Sequence, residues 1–205
     1  MFTLSSGTTS DSKFIPVTNR FYRDYRRSWQ LWGISAFDAR PKMNALKIVQ
    51  LSSDYQRFTS EGGTPCGNIS GLAAEMQKTA VKVLYTLPSI LAKIDNPANK
   101  YYTALRLAIA DPYVGMLTTA NPSTLVHMAQ MADDRKEALI RDIHDGTLSV
   151  IDELPTAVRG ALARRLSKAD PRRAQTLEKC VDRAGSLLPK DYWPDLQLAA
   201  IWTGG

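Results

Sequence analysis

Three short apolar runs, separated by long segments of helical character, constrain the fold of this chain more than any other feature. The runs occupy residues 46–51, 113–119 and 196–202. Apolar runs of this length that alternate with helical segments are typical of strands in a mainly parallel sheet flanked by helices. The sequence therefore predicts a helix-rich α/β fold.

Capping signals bound the helical segments. Thr18 predicts one helix start, and Asn121 followed by Pro122 predicts another, while Gly146 marks a helix end. A further helix is predicted to open after Asn96-Pro97. Glycines and a proline within 56–72 predict turns or a hairpin. The predicted helices span residues 19–33, 75–93, 98–110, 122–144, 155–167 and 171–185.

The first predicted helix carries two stripes of side chains. One consists of Phe21, Tyr25, Trp29 and Trp32, and the other of Arg20, Arg23 and Arg27. Aromatic residues at helical spacing predict a face that packs into a core. The arginine stripe is interpreted as a solvated face, with an anion site as the alternative.

Several classes of protein and site are disfavoured by what the sequence lacks. No apolar run approaches the roughly 18 residues that cross a bilayer, so no membrane partner is expected. Residues 1–20 do not resemble a secretory signal, and the cytoplasm is the expected compartment. Cys66 and Cys180 stand far apart, which excludes a disulfide framework and a cysteine-cluster metal site. His127 and His144 lie too many helical turns apart to bind one metal ion.

The net charge of +6 favours anionic partners. The densest basic stretch, residues 164–173, contains Arg164, Arg165, Lys168, Arg172 and Arg173 but no aromatic residue. Without aromatic residues it does not form a platform on which nucleotide bases stack. A solvated helix surface is the favoured interpretation, with contact to acidic surfaces or nucleic acid as the alternative.

The loop 5–13 is the strongest candidate for chemistry. Successive backbone N–H groups around Gly7 can form a concave anion site, and the Ser and Thr hydroxyls with Lys13 add donors for phosphate oxygens. The pattern is not a Walker A loop. By composition alone, a mobile N-terminal tail is the favoured interpretation, and the anion site is the alternative.

Residues 5–18, Ser-Ser-Gly-Thr-Thr-Ser-Asp-Ser-Lys-Phe-Ile-Pro-Val-Thr, resemble the first nucleotide-binding motif of the adenylate-forming enzymes. More narrowly, they resemble the auxin-responsive promoter family of acyl-acid amido synthetases. Further segments fit the same family in the same order, so that the resemblance runs nearly from end to end. These segments are 111–119, 121–125, 142–148, 193–194 and 196–205.

The resemblance implies an activity, a cofactor set and a site. Such enzymes activate a carboxylic acid with ATP and Mg²⁺ and transfer the acyl group to an amine, usually of an amino acid. The residues that would wrap the nucleotide phosphates are Ser5, Ser6, Gly7, Thr8, Thr9, Ser10 and Lys13. Ser10 stands where the family commonly has Gly, and the helix 19–33 would lie near the acyl-acid pocket. No catalytic residue or Mg²⁺ ligand is assigned.

The family's second and third motifs are absent, so residues 1–205 are expected to be a single partial domain, an incomplete portion of the large N-terminal domain. Its expected segments are a phosphate-binding loop (1–18), a helix and linker (19–45), a strand, hairpin, helices and strand (46–120), and helices with a final strand (121–205). The predicted function is a fragment of an amido synthetase that binds nucleotide and a small carboxylic acid and is inactive alone. The alternative is a non-catalytic protein-interaction module that self-associates or binds the missing lobe of the parent enzyme.

Overall fold

The structure, a computed structural model, describes residues 1–5, 13–166 and 168–201. The chain divides into two compact units. Unit 1 consists of Met1–Asn44 and Ser52–Lys82, and unit 2 of Ala45–Leu51 and Val83–Gly205. The predicted organisation as one partial domain stays a prediction.

The described ranges contain both strands and helices. In chain order they are β1 (Phe2–Ser5), β2 (Lys13–Pro16), α1 (Asn19–Ala39), β3 (Lys47–Gln50), β4 (Phe58–Thr59), β5 (Pro65–Gly67), α2 (Ile69–Glu75), α3 (Thr79–Lys82), α4 (Pro97–Ile109), β6 (Val114–Thr119), α5 (Pro122–Asp134), α6 (Lys136–Asp145), α7 (Thr156–Leu166), α8 (Pro171–Ala184), α9 (Pro189–Tyr192) and β7 (Leu198–Ile201). Short 3₁₀ helices occupy Pro41–Ala45, Ser89–Lys93 and Ile151–Glu153.

Unit 2 contains the parallel sheet that the sequence predicts. Its strand order is β3-β6-β7, and both neighbouring pairs are parallel. The helices bury a core of aliphatic side chains, among them Leu105, Ile109, Leu139, Ile143 and Leu177. The predicted α/β fold with a mainly parallel sheet is therefore confirmed.

Unit 1 contains a second sheet that the sequence did not reveal. Its strand order is β2-β1-β5-β4, in which β1 pairs antiparallel with β2 and parallel with β5. The hairpin predicted within 56–72 is present as β4 paired antiparallel with β5. The strands β1 and β2 are only four residues long, and the sequence itself does not show which partners they pair with.

Most helix ends lie at their predicted signals. The Thr18 hydroxyl accepts the Phe21 N–H at 3.1 Å, and the side chains of Asn96 and Asn121 cap α4 and α5 in the same way. Gly146 follows α6 with a φ of 71° in the left-handed region. Local capping chemistry thus predicts these ends correctly.

Two long predicted helices are wrong in extent. The segment 75–93 is broken because Ile48 exchanges backbone hydrogen bonds with Leu84 and Thr86, which places this stretch beside β3. The segment 122–144 divides into α5 and α6 at Arg135. Next to this break, the Asp133 carboxylate accepts the Leu187 N–H at 2.9 Å, a contact with a distant part of the chain.

The predicted burial of the aromatic stripe on α1 is also wrong. None of the residues of α1, all of which the structure describes, is buried. Phe21 and Trp29 are each 45% exposed, and Trp32 is 40% exposed. Helical periodicity shows that a face is apolar but does not specify which surface covers it.

Candidate functional site

The ends of the candidate phosphate loop lie opposite each other in unit 1. β1 and β2 pair antiparallel, and the last residue of β1, Ser5, is the register partner of the first residue of β2, Lys13. The pairing continues beyond the strands, since Val17 N–H donates to the Met1 carbonyl at 2.9 Å. The loop is therefore the connection of a β-hairpin, and its two ends are held together by backbone hydrogen bonds.

Only part of the predicted site lies within the described residues. Lys13 is exposed at the start of β2, and the backbone of Ser5 ends β1. Ser6, Gly7, Thr8, Thr9 and Ser10 lie outside the described residues. Hydroxyls, a glycine backbone and one ammonium are donor types that suit the phosphate groups of a nucleotide, and of the residues that carry them the structure describes only Ser5 and Lys13. None of these residues is assigned as a Mg²⁺ ligand.

Helix α1 follows directly after the hairpin. Its first turn is capped by the Thr18 hydroxyl, so one of its free N–H groups is already bonded. Arg20, Arg23 and Arg27 are exposed, as the interpretation of a solvated stripe predicts. The Arg26 guanidinium instead lies over the Tyr22 ring, 5.8 Å from its centroid.

The segment 142–148, one of those that carry the family resemblance, forms a buried polar cluster in unit 2. The Asp142 carboxylate is 3% exposed and accepts hydrogen bonds from the Tyr102 hydroxyl at 2.8 Å and the Thr147 hydroxyl at 2.8 Å. It also accepts the backbone N–H of Ser149 at 2.8 Å and its hydroxyl at 3.0 Å. A carboxylate with four donors around it is suited to holding the turn after α6 rather than to acid–base chemistry.

Two further groups border this cluster. Arg106, which is 2% exposed, donates from Nε to the Thr147 carbonyl at 2.9 Å, while its Nη2 has no hydrogen-bond partner within the described residues. Burial lowers the pKa of Arg106 and raises the pKa of Tyr102 to about 12. The sequence points to Asp142 only as part of the segment 142–148 that carries the resemblance, because one of its hydrogen-bond donors, Tyr102, comes from the distant α4.

Some side chains of the basic stretch 164–173 form hydrogen bonds within the protein itself. Arg173 is buried and donates from Nε to the Ile109 carbonyl at 2.9 Å and from Nη2 to the Tyr192 carbonyl at 2.6 Å. Arg165 donates to the Thr86 carbonyl at 2.8 Å. Arg173 therefore belongs to the core of unit 2 and is not available to an external anion.

Other polar groups do not assemble into a metal site. His127 on α5 and His144 on α6 are exposed, and His144 Nδ1 lies 2.7 Å from a carboxylate oxygen of its neighbour Asp145. His127 borders a shallow groove between α4 and α5 together with Tyr101 and Asp134. Within the described ranges, no group of three His, Cys, Asp or Glu side chains is arranged to hold a metal ion.

Comparisons with known proteins place the fold. The GH3 family N-terminal domain matches residues 1–205. A solved structure of GH3.15 acyl acid amido synthetase is similar with a TM-score of 0.81 and 17% identity, over 99% of this chain and 36% of that chain. A second, AtGH3.15 acyl acid amido synthetase in complex with 2,4-DB, has a TM-score of 0.77 and 16% identity, over 100% of this chain and 36% of that chain.

No curated protein matches the chain. The chain spans about a third of the length of the two solved structures, and at these identities the likeness to them concerns the fold. Among the described residues, no helix is both long and apolar enough to span a membrane.

Proposed function

The chain belongs to the GH3 N-terminal domain family, and from this premise we propose that it is the phosphate-binding portion of an ATP-dependent acyl-acid amido synthetase. In that reaction a carboxylic acid is adenylated and its acyl group passes to an amine or amino acid. The substrates bound are a nucleotide and a small carboxylic acid. The observation that carries the proposal is the pairing of Ser5 with Lys13. This pairing makes the loop that resembles the first nucleotide-binding motif the connection of a β-hairpin.

In this proposal each part of the loop has a role. The Lys13 ammonium and the hydroxyl and backbone donors of Ser5, Ser6, Gly7, Thr8, Thr9 and Ser10 bind the phosphate oxygens. When bound, ATP with Mg²⁺ supplies the adenylyl group and pyrophosphate as the leaving group. Negative charge grows on the leaving oxygens as the bond breaks, and donors already held in place stabilise that charge without reorganising.

A complete reaction requires more than residues 1–205. The chain spans 36% of the related synthetase structures, and no residue in it is assigned to adenine, ribose or Mg²⁺. We therefore expect the chain alone to bind nucleotide without turnover.

We place this activity in the cytoplasm. Both cysteines, Cys66 and Cys180, are free thiols, as is usual in that reducing compartment.

Thermal unfolding with and without millimolar MgATP tests nucleotide binding. A ligand at about 1 mM with a Kd of about 100 µM adds about 1.4 kcal/mol to the free energy of unfolding, which corresponds to roughly 3–6 °C in Tm. Lys13→Ala should abolish the shift. Lys78→Ala, which removes the same charge from an exposed site elsewhere in unit 1, should leave it unchanged. Absence of a shift in the original chain would contradict nucleotide binding by this loop.

Exchange of labelled pyrophosphate into ATP tests turnover directly. We expect no exchange above background with the chain alone and any carboxylic acid. Acid-dependent exchange by residues 1–205 would contradict the proposal that the rest of the fold is required, while leaving the family assignment intact.

A non-catalytic interaction module is the second candidate function. The observation that favours it is the exposed aromatic face of α1, which does not fit a helix buried in a finished core. This candidate predicts association of the chain without any dependence on MgATP.

A further inference from the structure

Four polar side chains lie along one side of α4, and all four are buried. They are Asn99, Tyr102, Thr103 and Arg106. Residues three and four positions apart are neighbours on the surface of a helix, so the four side chains form one continuous strip. We call it the polar strip of α4. Because the strip lies in a core, each of its polar atoms needs a hydrogen-bond partner.

Three of these side chains have partners between residues 142 and 153. The Asn99 amide donates to a Glu153 carboxylate oxygen at 2.9 Å, the Tyr102 hydroxyl to Asp142 at 2.8 Å, and Arg106 Nε to the Thr147 carbonyl at 2.9 Å. The polar strip therefore faces the segment 142–153, and a hydrogen bond fixes each of its two ends.

Two polar atoms of the strip have no protein partner among the described residues. They are Thr103 Oγ1 and Arg106 Nη2, and both are buried. The Thr103 side chain is 0% exposed, and that of Arg106 is 2% exposed. Native cores contain few such atoms, because a buried donor or acceptor without a partner destabilises the folded state. The two residues are neighbours on the strip, so one small molecule between them satisfies both atoms.

The chemistry of the two atoms defines the partner they need. Arg106 Nη2 only donates, so the partner must accept a hydrogen bond, whereas the Thr103 hydroxyl both donates and accepts. Burial lowers the pKa of Arg106, and the nearby Asp142 carboxylate acts in the opposite direction. The guanidinium therefore already has a counter-ion, and the partner is a neutral molecule rather than an anion.

The burial of the two side chains defines the size of the partner. With so little of Thr103 and Arg106 exposed, neither side chain lines an opening through which a large molecule enters. Water is the smallest neutral molecule that both donates and accepts hydrogen bonds. Buried waters in proteins make about three hydrogen bonds each, typically to polar groups that are otherwise unsatisfied.

We propose that unit 2 binds an ordered water molecule beside the polar strip of α4, where the water accepts a hydrogen bond from Arg106 Nη2 and donates one to Thr103 Oγ1. The water completes the hydrogen bonding of the strip. Neither Thr103 nor Arg106 is among the proposed phosphate-binding residues, so the water binds without nucleotide.

The sign of the stability change in Thr103→Val tests the proposal. Valine has nearly the shape of threonine but lacks the hydroxyl, so the variant takes one partner away from the bound water. We expect the equilibrium constant of unfolding in urea to rise about fivefold or more. If the hydroxyl had no partner, the same substitution would remove an unsatisfied polar atom and make the chain more stable.

Thr176→Val is the matched control. Thr176 is exposed on α8, and its hydroxyl donates only to the Arg172 carbonyl of its own helix, at 3.0 Å. The variant therefore measures what valine costs in place of threonine on a helix without a buried partner. We expect its equilibrium constant of unfolding to change by less than about twofold.

A high-resolution crystal structure of the full chain shows the water directly and needs no variant. We expect a density peak at about 2.7–3.2 Å from both Arg106 Nη2 and Thr103 Oγ1. In solution, oxygen-17 relaxation dispersion counts long-lived waters, and Thr103→Val should hold one fewer than the original chain.

Three results would overturn the proposal. Unchanged or greater stability in Thr103→Val shows that the hydroxyl binds no water. Equal losses in Thr103→Val and Thr176→Val show that the effect belongs to valine in a helix rather than to a buried partner. A crystal structure in which a protein oxygen or an ion contacts Arg106 Nη2 assigns the partner to that group instead.

Discussion

The hydroxyl of Tyr102 donates a 2.8 Å hydrogen bond to the carboxylate of Asp142, forty positions further along the chain. The bond joins the middle of α4 to the last turn of α6. From its other side, Asp142 accepts the donors of Thr147 and Ser149, so that one buried carboxylate connects two helices with the turn that follows them. The stability of unit 2 should depend strongly on this group.

Replacement of Asp142 by Ala tests that dependence. The substitution leaves the hydroxyl of Tyr102 and the backbone N–H of Ser149 without their acceptor in a buried site, and each unsatisfied donor costs about 1–3 kcal/mol. We expect the free energy of unfolding in urea to fall by about 3 kcal/mol or more. Asp152→Ala is the control: its side chain is 95% exposed, and the expected change is within about 0.5 kcal/mol. Equal losses of stability in Asp142→Ala and Asp152→Ala would contradict a stabilising role for the hydrogen bonds to Asp142.

The Tyr102 hydroxyl also predicts how stability responds to alkaline pH. Burial raises the pKa of Tyr102 from 10.0 to about 12, so between these values the folded chain retains a proton that the unfolded chain loses. Stability therefore falls as the pH rises from 10 to 12, and this contribution is fully present below pH 10. Burial raises the pKa of Tyr192 as well, so part of the slope comes from that residue.

Urea unfolding at a series of pH values measures this slope. Tyr102→Phe should be less stable at neutral pH, because it loses the bond to Asp142, yet its stability should fall less steeply above pH 10. Tyr113→Phe, at a position that is 63% exposed, should reproduce the original slope. An unchanged slope in Tyr102→Phe would show that Tyr102 does not titrate with folding.

Two glycines with nearly the same backbone angle make a matched comparison. Gly146 and Gly185 have φ values of 71° and 70°. A Cβ on Gly146 would lie 2.8 Å from the backbone nitrogen of Ala169 and 2.9 Å from the Leu166 carbonyl oxygen, whereas a Cβ on Gly185 meets no atom within 4 Å. Gly185→Ala should cost about 1 kcal/mol from the left-handed conformation alone.

Gly146→Ala adds a steric clash to that conformational cost. We expect it to lower the free energy of unfolding by clearly more than Gly185→Ala, by about 2 kcal/mol or more in total. Urea unfolding of both variants measures the difference. Equal losses would mean that the segment 166–169 moves away without cost.

Arg173 supports the fold through two backbone carbonyls. Its guanidinium bonds to Ile109 and Tyr192, which lie in separate parts of unit 2. Lysine keeps the charge but has no planar fork, so it does not reach both carbonyls in the same geometry. We expect Arg173→Lys to lower the free energy of unfolding by about 2–4 kcal/mol, and the exposed Arg172→Lys to change it by less than about 0.5 kcal/mol. A loss of less than about 0.5 kcal/mol in Arg173→Lys would contradict the buried role of Arg173.

The fold could be predicted from the sequence wherever one local interaction decides it. Asn96 and Asn121 cap helices with their own side chains, and Gly146 ends α6 by its own backbone conformation, so each signal can be read without the rest of the chain. The strands β3, β6 and β7 are also predicted correctly, because each is an apolar run between helices.

Features decided by distant contacts could not be predicted in this way. Pairing of β1 with β5 joins residues more than sixty positions apart, and the helical pattern over 75–93 is overridden by hydrogen bonds to Ile48. The aromatic stripe on α1 has the same periodicity whatever surface covers it, so the periodicity alone could not show that the stripe is exposed. For the candidate site, the resemblance identified the loop, and the structure adds the hairpin that joins Ser5 to Lys13. The phosphate contacts of Ser6 to Ser10 stay a prediction.

The path of the chain between its two units limits how the protein can be divided. Residues 45–51, which include β3, leave unit 1 and belong to unit 2, and the chain returns to unit 1 at Ser52. A gene that starts at Val83 would therefore encode a parallel sheet without β3 and leave β6 as an unprotected edge. During synthesis, all strands of unit 1 leave the ribosome before β6 does, so β3 must wait for a neighbour that has not yet been translated. A single cut after Lys82 thus keeps every residue of unit 1, but no single cut gives unit 2 its residues 45–51 without part of unit 1.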